Sequence, residues 1–102
     1  MKTYEVVLMK FKADAVEDVI LQALESSTGF LRTCPGFVSR HVLRSAEEGV
    51  WLDQVVWEDT DSALQAAAKF GEAPEVAEFV SLLDTNDMRM MHLTSFFHSD
   101  AG

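Results

Sequence analysis

Apolar and polar positions along the chain change period several times, and each change marks an element. Residues 4–11, 37–44, 50–57 and 88–97 are short stretches rich in β-branched and aromatic side chains, which predicts four strands. Between the first two, Val16, Ile20, Ala23, Leu24, Ser27 and Leu31 recur at the spacing of one helix face. Asp14, with Glu17 three positions on, has the form of a capping box opening that helix. Ser26, Ser27, Thr28 and Gly29 are poor helix formers, so a break near Gly29 is expected. The helix must stop by Cys34, because Pro35 disfavours helical geometry in the residue before it. A second helical region starts at Asp59 or Thr60, with Leu64, Ala67 and Ala68 on one side, and is interrupted at Gly71. Pro74 suits the first turn of a further helix whose apolar face is Val76, Phe79, Val80 and Leu83.

The resulting order, β-α-β-β-α-β, describes an α+β, ferredoxin-like antiparallel sheet with its helices on one face. The length fits one domain, expected over residues 1–97, with 98–102 as a loose tail. The strands alternate poorly. On the first, Tyr4, Val6 and Leu8 share one parity, and Val7, Met9 and Phe11 share the other. Val50, Leu52 and Val56 oppose Trp51, Val55 and Trp57 in the same way, and Gln54 falls opposite Trp57. Helices on one side would leave the other apolar face bare, which soluble monomers avoid. A homodimer packed sheet to sheet is the expected cover.

Composition narrows the function classes. Seventeen acids against eight bases give a formal net charge of −9, with no basic stripe, so nucleic acid and anionic membrane are not expected partners. No apolar run is long enough to cross a bilayer, and MKTYEVVLMKFK alternates where a signal peptide would be continuously apolar, so the cytoplasm is the expected location. Cys34 is the single cysteine, with no histidine beside it, and reads as a packed or loop thiol. The three histidines show no metal-ligand spacing, and the glycines form no phosphate loop, so no metal or cofactor is expected.

Two motifs carry a family resemblance: CPGF at residues 34–37 and VVWEDTDSALQAA at residues 55–67. With the element order, they make the chain similar to the antibiotic-biosynthesis-monooxygenase-like group of the dimeric α/β-barrel superfamily. The resemblance implies a pocket between sheet and helices, and oxidation of a phenolic or quinone-like metabolite without metal or flavin. It leaves open an isomerase or cyclase on the same scaffold, or a stress-responsive or ligand-binding dimer without activity. Haem-degrading relatives pair the equivalent tryptophan with a histidine ten residues on, and carry an asparagine on the first strand. Here that position is Ala67 and the first strand has no asparagine, so haem degradation is not expected.

Candidate site residues depend on the hairpin. If Arg44 lies opposite Val50, then Leu43 faces Trp51, His41 faces Asp53 and Phe37 faces Trp57. A carboxylate touching an imidazole raises its basicity, which suits a general base for a phenolic proton. His41, Asp53 and, in the Met-rich last strand, His92 are therefore the catalytic candidates. Phe37, Trp57 and Trp51 are the candidates for lining a small aromatic ligand. Most have a structural reading as well: a solvated edge pair for His41 and Asp53, a satisfied buried histidine for His92, core packing for Trp57, and dimer or edge packing for Trp51. Slipping the pairing by one residue would send His41 and Asp53 to opposite faces.

Overall fold

The computed structural model describes residues 1–102. Its elements are β1 (Thr3–Met9), α1 (Glu17–Thr33), β2 (Phe37–Ser45), β3 (Val50–Trp57), α2 (Thr60–Phe70), α3 (Pro74–Leu82) and β4 (Arg89–Thr94). The four strands form one antiparallel sheet in the order β2-β3-β1-β4. This is the ferredoxin-like arrangement, with the second helical region divided into α2 and α3 between Gly71 and Pro74.

Several boundaries depart from expectation for local reasons. The Asp14–Glu17 capping box does not form: α1 starts at Glu17 after an extended Val16, with no side-chain cap. Glu17 instead pairs with Arg44 of β2. Nor does α1 break at Gly29, which lies on the exposed side of the helix. The Ser27 and Thr28 hydroxyls both donate back to the Leu24 carbonyl, and the helix continues through them to Thr33. The helix ends before Pro35, as the proline requires. Gly36 follows with φ +86°, its carbonyl accepting the Glu58 N–H at 2.8 Å. A side chain there would overlap that of Ser62 at the start of α2. Glycine is required at this crossing for conformation and for space.

Asp59 caps α2 by accepting the Ser62 N–H at 2.8 Å. That bond holds the Asp59 carboxyl below the usual carboxylate range. The buried residues of α2 are Ala63 and Ala66 rather than Leu64, Ala67 and Ala68; Leu64 is half exposed. The fully buried Trp57 packs in the same cluster as the two alanines, and its bulk leaves room only for methyl groups on the helix above it. β4 stops at Thr94 instead of continuing to residue 97, because Thr94 pairs with Thr3, where the β1 ladder begins. Phe96 and Phe97, beyond any partner, are exposed.

Both apolar clusters lie under the helices. One gathers Phe30, Leu31, Cys34, Val55, Trp57, Ala63, Ala66 and Val76, and the other Met9, Ala23, Phe79 and Leu83. The sheet residues that share this side by register are Thr3, Glu5, Val7 and Met9 of β1, with Trp51, Asp53, Val55 and Trp57 of β3. The opposite face carries Tyr4, Val6, Leu8, Leu52, Met91 and Leu93 and has no helix over it.

Candidate functional site

The hairpin joining β2 to β3 decides which side chains meet. Ser45, not Arg44, lies opposite Val50, and a four-residue turn closes on Gly49 at φ +67°, whose N–H reaches the Ser45 carbonyl at 3.0 Å. The turn is thus one residue shorter than expected, and the side-chain period of two turns that slip into an exchange of faces. His41 now lies opposite Gln54, on the face without helices, and is exposed. The expected His41–Asp53 contact does not form. A bulge at Val38 takes up the extra residue, so Phe37 still lies opposite Trp57 as expected. Their rings meet edge to face, with centroids 5.8 Å apart.

The same slip turns Arg40 inward, and Arg40 takes Asp53. Its Nε donates to Oδ1 at 3.0 Å and its Nη2 to Oδ2 at 2.7 Å, a bidentate pair whose side chains are only 4% and 7% exposed. Nη1 donates to Ser27 Oγ at 2.8 Å, Thr28 Oγ1 at 2.9 Å and the Leu24 carbonyl at 3.2 Å. The guanidinium also sits 5.2 Å from the centroid of the Phe79 ring. Arg40 therefore braces α1 and α3 against the sheet. Its charge is balanced by Asp53, and its Nε–H, both Nη1 hydrogens and one Nη2 hydrogen are bonded within the fold.

Between this face of the sheet and the helices lies a cavity of about 230 Å³. Its walls are mostly apolar, among them Val7, Val55, Trp57, Phe70 and Phe79. An apolar cavity of about 150 Å³ is enough to hold benzene, so this one admits a larger planar ligand. Val80, Met88 and Met90 line the same space and are 39–53% exposed, which puts its opening between α3 and β4. Methionines at the opening adapt to different ligand shapes.

Glu5 is the acid that sequence reasoning missed. It lies opposite His92 in the β1–β4 ladder, and the two side chains bond at 2.8 Å through Oε2 and Nε2. The side chains are 13% and 23% exposed. Glu5 lines the cavity and His92 stands behind it. The other carboxylate oxygen of Glu5 has no partner in the fold. The available signal was a charged residue in the middle of the apolar stretch TYEVVLM, on the parity of Val7 and Met9, since a polar group at a core-facing position is the informative exception.

The other candidates scatter. Asp53 lines the cavity, but as the partner of Arg40. Trp57 forms part of the cavity wall while fully buried, and its Nε1–H has no acceptor. Phe37 lies outside the cavity, behind Trp57. Trp51 packs edge-on against Phe11 at 5.0 Å, with the Arg44 guanidinium 5.1 Å from its ring centroid, at the far end of the sheet. Ala67, ten residues after Trp57, lines the cavity. No three His, Cys, Asp or Glu side chains converge in a metal-holding group. Cys34 is buried beside α2, its thiol 3.6 Å from the Phe30 carbonyl, and burial pushes the thiol up from its ordinary value.

Neither a family model nor a curated protein matches the chain in sequence. Solved structures do match in three dimensions. SnoaB, a cofactor-independent oxygenase from Streptomyces nogalater, superposes with a TM-score of 0.78 at 18% identity, over 95% of each chain. An antibiotic biosynthesis monooxygenase superposes at 0.68 and 12% identity, over 92% of this chain and 98% of that one. The protein At3g17210 from Arabidopsis thaliana gives 0.71 and 14%, over 95% and 98%. At such identities the likeness concerns the fold: this chain has the ferredoxin-like fold of the antibiotic biosynthesis monooxygenases.

Proposed function

We infer that the protein is a small homodimeric oxygenase of the monooxygenase-like group, acting in the cytoplasm on a phenolic or quinone-like metabolite without metal or flavin. The observation that carries this reading is the apolar cavity under the helices, with a partly exposed carboxylate on one wall. Chemistry of this kind asks little of a protein. An electron-rich ring, once deprotonated, reduces oxygen itself, so the site must bind the ring, accept its proton and keep water away. The apolar walls serve the first and third needs, and Glu5 with His92 serves the second. The Arg40–Asp53 pair has a structural part, fixing β2 and β3 beside α1. The SnoaB likeness, to a cofactor-independent oxygenase of the same fold, supports the reaction class.

The bare face of the sheet supports the dimer. Tyr4, Val6, Leu8, Leu52, Met91 and Leu93 form an apolar surface, with Gln54 among them, that a second copy would bury by two-fold packing.

Oxygen consumption tests the reaction. With hydroquinone or anthrone as substrate, purified protein treated with a chelator and freed of flavin is expected to consume oxygen above the uncatalysed rate. Turnover of the ring without oxygen uptake would move the protein to the isomerases or cyclases. Binding with no turnover would make it a ligand-binding dimer.

A further inference from the structure

We propose that Glu5 is the specificity-determining residue of the cavity: it admits neutral planar ligands that donate a hydroxyl hydrogen bond and refuses aromatic anions, with His92 as its positioning residue. The proposal deepens the reading above and rests on it only for the location of the ligand. Three observations combine. The walls of the cavity are mostly apolar and its Arg40 and Asp53 are bonded to each other, so a hydrogen bond to Glu5 carries much of the discrimination between otherwise similar rings.

The cationic side chain at the cavity, Arg40, already holds the Asp53 carboxylate through both oxygens and bonds three further acceptors through Nη1, so its charge is paired before a ligand enters. An aromatic acid entering here would lose its hydration and meet Glu5, a like charge, in a medium of low dielectric. A phenol or enol meets the opposite situation. Its O–H finds the unpartnered oxygen of Glu5, and hydrogen bonds to a charged acceptor are the stronger kind.

His92 acts through Glu5. Its Nε2 at 2.8 Å from Oε2 ties down one carboxylate oxygen, which fixes the plane of the group and leaves the second oxygen for the ligand. His92 itself is not on the cavity wall.

The probes are beta-naphthol, its methyl ether and beta-naphthoate, titrated anaerobically against the full chain by fluorescence or calorimetry. Wild type is expected to bind beta-naphthol about tenfold or more tighter than the ether and to bind beta-naphthoate least. Glu5→Met should level the first two while the ether keeps its affinity, the sign of an intact cavity. Glu5→Gln should admit beta-naphthoate, a gain that a misfolded variant does not show. His92→Ala should erode the preference for the hydroxyl, and His92→Gln, whose amide can still donate to Glu5, should restore it. The proposal is overturned if wild type takes beta-naphthoate as well as beta-naphthol, binds none of the three, or keeps its preferences in both Glu5 variants. No step here requires turnover. Selectivity without oxygen uptake would sink the oxygenase reading and leave this one standing, and oxygen uptake with unselective binding would do the reverse.

Discussion

Removing one half of the Arg40–Asp53 pair offers the sharpest test of how the interior is held. In Asp53→Asn the shape survives but the negative charge does not, and Arg40 stays in place with its side chain 4% exposed. Breaking a buried pair in this way costs about 3–5 kcal/mol, because a desolvated charge is left without compensation. An entropy of unfolding near 2.1 cal/mol/K per residue gives roughly 0.2 kcal/mol/K for this chain, so the Tm should fall by about 14–24 °C. The double variant Arg40→Met/Asp53→Leu should cost far less. The hydroxyls that Arg40 contacts are not orphaned by its loss, since Ser27 and Thr28 each bond the Leu24 carbonyl as well. What disappears is the guanidinium's packing on Phe79, worth about 0.5–2 kcal/mol. Urea unfolding of wild type, both single variants and the double variant, at one fixed protein concentration, closes the cycle. An Asp53→Asn protein within about 1 kcal/mol of wild type, or a double variant that merely sums the singles, would refute the claim that the pair is buried and mutually dependent.

Other outcomes follow from single features. Gly36→Ala places a side chain at φ +86° and against Ser62, so it should destabilise by roughly 2 kcal/mol or more by thermal melt, and Ser62→Gly should recover part of the loss. Cys34 has its thiol raised by burial, so the folded chain keeps that proton to higher pH than the unfolded chain does. Its contribution to stability is complete below the ordinary thiol range, about 8.5, and is lost as pH rises through the raised value; in Cys34→Ala this part of the alkaline decline in urea midpoint should vanish. Leu52→Lys, on the bare face of the sheet, should convert a dimer to monomer in light scattering at micromolar concentration while leaving the circular dichroism unchanged. A wild-type protein already monomeric there would remove the basis for sheet-to-sheet packing.

The chain's own pattern settled the order of elements, because the changes of period that separate them depend on neighbours in sequence. Pro35 halts a helix, Gly71 and Pro74 divide another, and two periods separate strands from helices. The bare apolar face was visible in the same way, from the parity of Tyr4, Val6 and Leu8. Pairings that cross the sheet followed a different logic. His41 met Gln54 rather than Asp53 because a hairpin turn closed on Gly49 with four residues instead of five, and no local preference distinguished the two lengths. Arg40 was invisible as the partner of Asp53 for the same reason. Glu5 and His92 lie 87 residues apart, and they meet only because β1 runs between β3 and β4. Local sequence carries the turn and helix-end signals, each worth about a kilocalorie and readable one at a time. The identity of the charged pairs was decided by register and strand order, which the whole sheet sets at once.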